Sequence, residues 1–94
     1  MTISDNNKKF LDDLVQYYID ESKSYKQFAS EYDEFCESEM DVAFGLIVGT
    51  LYSTFLQTYA NQQLEVGLDD IQEFHEFIKS NAAQIKESLG KKED

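Results

Sequence analysis

Ninety-four residues make one domain at most, and 41% hydrophobic content with seven Phe and six Tyr supplies the material for a small core. The formal charge of −11 is reached without a single Arg, which excludes the Lys/Arg clusters that grip phosphates. Direct binding of nucleic acid or of an anionic membrane surface is therefore not expected.

The first half of the chain contains no proline, and no glycine before Gly45. From Leu11 the apolar residues follow a 3–4 spacing through Leu14, Tyr18, Tyr25, Phe28, Tyr32 and Phe35, the signature of an amphipathic helix with one buried stripe. Ser4 is its natural N-cap, because a serine hydroxyl can accept from the free amides of a first turn. The spacing predicts a helix from residue 5 to about 36, bent or broken in the polar patch Asp20–Ser24, where Glu21 falls on the apolar seam.

Ser38 with Asp41 forms a capping box ahead of an uncharged run from Val42 to Leu64. A second helix is predicted from Glu39 to about Glu65, closed by Gly67 in the left-handed conformation. The uncharged run is long enough to raise the question of a membrane span. Its second half is rich in Gln, Asn and Thr, and both flanks are acidic rather than basic, so a central bundle helix is the better reading. Asp69 with Gln72 is the next capping signature. A third helix then carries Ile71, Phe74, Ile78, Ala82, Ile85 and Leu89 on one face and ends at Gly90, leaving residues 91–94 as a frayed tail.

No stretch alternates polar and apolar residues with β-branched enrichment. The expected fold is all-α: a single domain over residues 1–90, built of two long helices and one shorter one and completed by homodimerisation.

Gly45, Gly49 and Ser53 place small residues at every fourth position, a flat groove that another helix can approach closely. Glycine inside a helix costs about 1 kcal/mol relative to alanine, and close packing is the natural offset. The groove fits either a homodimer axis or packing within the chain. No lysine occurs between Lys26 and Lys79, and the excess acids lie in two segments. The first holds Glu31, Asp33, Glu34, Glu37, Glu39 and Asp41; the second holds Glu65, Asp69, Asp70, Glu73 and Glu76. Such a surface keeps a helix junction soluble, or docks on a basic partner protein.

Signatures of catalysis are missing. Gly-rich phosphate loops and nucleophile elbows are absent, Cys36 sits among acids that disfavour its thiolate, and His75 lacks the Glu-x-x-His spacing of di-iron bundles. The tyrosines at seven-residue intervals, Tyr18, Tyr25, Tyr32 and then Tyr52, Tyr59, are core or edge rings rather than base-stacking platforms, for want of nearby cations. The single cysteine forms no intrachain disulfide, and the N-terminus lacks a signal-peptide apolar core. A cytoplasmic location is therefore expected.

The sequence thus points to a non-catalytic, homodimeric interaction or regulatory module without a cofactor. One alternative is an acidic inhibitor that occupies the basic groove of a nucleic-acid-binding protein, a class this chain is similar to in composition only. Another is a carboxylate-rich bundle that binds metal across a dimer.

Overall fold

In a computed structural model, which describes residues 2–90, the chain forms four α-helices and, among the described residues, no strand. Helix α1 spans Asp5–Asp20, α2 Ser22–Ser30, α3 Glu39–Asn61 and α4 Leu68–Gly90, with a single 3-10 turn at Asp33–Phe35. The all-helical expectation holds, but the three-helix description does not. The predicted tail at 91–94 lies outside the described residues.

Ser4 and Ser38 cap as their sequences require. The Ser4 hydroxyl accepts from the Asn7 amide at 3.2 Å, and the Ser38 hydroxyl accepts from the Asp41 amide at 3.1 Å. Helix α1 buries Leu11, Val15 and Tyr18 on one stripe.

The long first helix breaks at Glu21 (φ −98°, ψ 14°), within the predicted patch. The break changes which face of the following segment meets the core. In α2 the buried residue is Ala29, whereas Phe28, Tyr32 and Phe35 stay exposed at 51%, 45% and 76%. The predicted stripe therefore fails beyond Tyr25, and the α-helix ends at Ser30 rather than at residue 36, with only the 3-10 turn at Asp33–Phe35 following it. Phe28 and Tyr32 instead pack on each other outside the core, with ring centroids 5.5 Å apart.

Helix α3 buries one residue per turn: Ala43, Ile47, Leu51, Phe55 and Tyr59. It ends at Asn61, and not through Gly67. The Gln63 amide donates to Ala60 O at 3.0 Å and the Leu64 amide to Tyr59 O at 2.9 Å, with Gln63 left-handed at φ 59°. This is a Schellman termination built on glutamine instead of glycine, at a cost of roughly 1–2 kcal/mol for the Cβ. Gly67 acts at the next helix. Its amide donates to Asp70 Oδ2 at 2.9 Å, and its carbonyl accepts from Ile71 at 3.1 Å. Asp70, rather than the predicted Asp69–Gln72 pair, thus supplies the reaching-back half of a capping box.

Helix α4 buries Phe74, Ile78, Ile85 and Leu89, all on the predicted face. It runs antiparallel to α3: Lys86 Nζ reaches Asp41 Oδ1 at 3.4 Å near one end, while Tyr59 and Asp70 interact at the other. Rings fuse the two helices. Phe55 stacks on Phe74 at 4.9 Å between centroids, Tyr59 lies 4.9 Å from Phe55, and Tyr52 lies 5.4 Å from Phe74. At the end of the molecule where α1 begins and α3 stops, Asn7 and Gln62 exchange two amide hydrogen bonds of 3.0 and 2.9 Å.

Candidate functional site: the outer face of helix α3

The buried stripe of α3 repeats every fourth residue, so the opposite face repeats with it. That face carries Gly45, Gly49 and Ser53, all exposed, followed by the exposed Leu56. An added Cβ at Gly45 or at Gly49 would meet nothing within 4 Å. The groove is therefore open among the described residues, and of the two arrangements that fit it, packing against another helix of the same chain is not the one the fold uses. The bundle takes the Ala43–Ile47–Leu51 stripe, whose larger side chains bury more apolar area than a glycine ridge can.

The surroundings of the groove are apolar and electrically quiet. Val42, Leu46 and Thr50 flank it half-buried, and no ionisable side chain occurs from Val42 to Asn61 except the hydroxyls of Tyr52 and Tyr59. Thr50 and Thr58 donate their hydroxyls to Leu46 O and Thr54 O, each at 2.8 Å, so these side chains bring no unmet polar demand to a contact. By length and composition α3 is also the one described helix that could cross a membrane.

The acids divide into two environments. Glu31, Asp33, Glu34, Glu37 and Glu39 are exposed around the 3-10 turn and the start of α3, and Asp41 is exposed but pairs with Lys86. Near the start of α4, Glu65, Asp69 and Glu76 are exposed, whereas Asp70 and Glu73 have structural duties. Asp70 is held below the usual carboxylate range first by the Thr2 hydroxyl beside it and then by the Gly67 amide that donates to it. Glu73 is held down to about 2, first by Lys8 and then by the backbone amides of Thr2 and Ile3. Its Oε1 lies 2.7 Å from Lys8 Nζ, while Oε2 accepts from the Thr2 amide, the Thr2 hydroxyl and the Ile3 amide at 2.9 to 3.1 Å. By sequence alone Asp70 and Glu73 belong to the acidic surface segment. Their partners lie either at a helix start or about seventy positions away, and only the Gly67–Asp70 spacing carried a local signal.

The remaining candidates fall in ordinary surroundings. His75 is exposed and stacks on Tyr52 at 6.4 Å between ring centroids. Cys36 is exposed in extended backbone rather than closing a helix. Tyr18 meets Tyr25 edge to face at 5.4 Å. Burial, and then the nearby Asp70 carboxylate, push the Tyr59 hydroxyl up to about 12. Among the described residues no group of three His, Cys, Asp or Glu side chains is placed to hold a metal ion. In comparisons with protein-family models, curated proteins and solved structures, nothing matches this chain.

Proposed function

We propose that this protein is a small, acidic, non-catalytic interaction module that self-associates through the outer face of α3. The observation that carries the reading is the open groove at Gly45, Gly49 and Ser53. Each helical glycine costs about 1 kcal/mol, and no contact among the described residues offsets it. A second copy of the same uncharged face offers both the close approach and the apolar burial that would. A single exposed cysteine among acids suits work in the reducing cytoplasm.

Light scattering at tens-of-micromolar protein should give the mass of a dimer. A side chain starting at Gly49 enters open space, since an added Cβ there meets nothing within 4 Å, so Gly49→Leu should keep its helical circular dichroism and shift toward the monomer mass. A monomer mass for the natural sequence refutes the proposal. So does a Gly49→Leu variant that loses thermal stability while its mass stays the same.

A further inference from the structure

On the side of the molecule where α1 meets α4 lies a half-open pocket of about 550 Å³, within the size range of clefts that hold ligands. Its floor is apolar: Ile3 and Leu11 are 3% and 2% exposed, and Phe77 is half-buried beside them. Its walls are acidic. Lys8, the cation lining it, is set against Glu73 at 2.7 Å. The wall residues Asp12, Asp69 and Glu76 are exposed, and no ion pair within the described residues neutralises them.

We infer that this pocket binds a short basic segment of a partner protein, with an apolar side chain against the half-buried Phe77, over the floor that Ile3 and Leu11 close, and cations against Asp12, Asp69 and Glu76. An apolar floor by itself would accept many ligands, and an acidic rim by itself would only gather counterions. The combination selects a cationic amphiphile. Three features favour a peptide segment over a small amine. The pocket is half-open, so a chain can enter and leave. The overall charge of −11 draws in a basic macromolecule from beyond contact range. Asp69 and Glu76 are seven residues apart on α4, about 10 Å along the helix axis. Basic residues three apart in an extended polyproline-type segment span about 9 Å and share a side, which matches that separation with an apolar residue between them.

The surface is separate from the α3 groove, so the two proposals stand or fall independently. The test uses the full chain, isotope-labelled, titrated with the pentapeptide acetyl-Lys-Leu-Pro-Lys-Leu-amide and followed by amide resonances. Saturable shifts should centre on residues 3–12 and 69–80. The double variant Asp12→Asn, Glu76→Gln replaces two exposed acids and should weaken binding about tenfold, since two charge pairs are lost. Its oligomeric mass should equal that of the natural sequence. The same peptide with both lysines acetylated should bind at least as poorly. Any of three results overturns the inference: shifts centred on residues 31–41, unchanged affinity in the double variant, or spermine, which has charge without an apolar body, binding as tightly as the peptide. Absence of saturable shifts at millimolar peptide overturns it too.

Discussion

Glu73 ties the N-terminal segment and α1 to α4, and the strength of that tie can be worked out from its titration. Its carboxyl falls from 4.5 to about 2 on folding, which corresponds to roughly 3 kcal/mol at about 1.4 kcal/mol per pH unit. The side chain retains 19% exposure, and solvent-screened pairs often contribute under about 1 kcal/mol, so about 1–2 kcal/mol is the realistic share. Glu73→Gln keeps the shape and an acceptor oxygen for the Thr2 and Ile3 amides but removes the charge facing Lys8. At neutral pH the variant should therefore lose about 1–2 kcal/mol in urea unfolding and melt about 5–15 °C lower.

The sign of the pH dependence follows from the lowered carboxyl. The stabilisation is fully present above 4.5, the unfolded value, and is lost as pH falls through about 2. The gap between natural and variant chains should therefore be constant from neutrality to about pH 5 and close between pH 4.5 and 2. The other acids titrate over the same range, but they are common to both chains and cancel in the difference. A gap that persists undiminished at pH 2, or no gap at pH 7, would refute the electrostatic account of this clamp.

Two further outcomes test the core. Phe74→Ala removes the ring that meets both Phe55 and Tyr52 at full burial, so urea unfolding should show a loss of about 3–5 kcal/mol. A loss below about 1 kcal/mol would place Phe74 outside a packed cluster. Tyrosinate absorbance should show one group ionising near 12, well above exposed tyrosines, and Tyr59→Phe should delete that step. Because folding raises this hydroxyl, its share of stability is whole below pH 10 and is lost as pH rises through about 12.

The sequence by itself determined the helical class, the starts of α1 and α3, and the inward face of α4. Each rests on interactions within one or two turns. A serine hydroxyl meets an amide three residues on, and an apolar residue returns every third or fourth position. Local rules misplaced the end of α3, because Gln63 accepts a left-handed conformation that glycine would adopt more cheaply. Only the tertiary structure could decide the rest. Once Glu21 breaks the helix, the rotation of α2 follows from how Ala29 seats on the bundle, and Phe28 and Tyr32 turn outward. Helix α3 is apolar nearly all round, so its periodicity cannot say which face meets the core; packing chose the larger side chains and left the glycines outside. The acidic pocket joins Asp12 to Glu76, and Glu73 finds Lys8, across most of the chain's length. Pairings of that kind depend on where whole helices dock, which no window of neighbouring residues encodes.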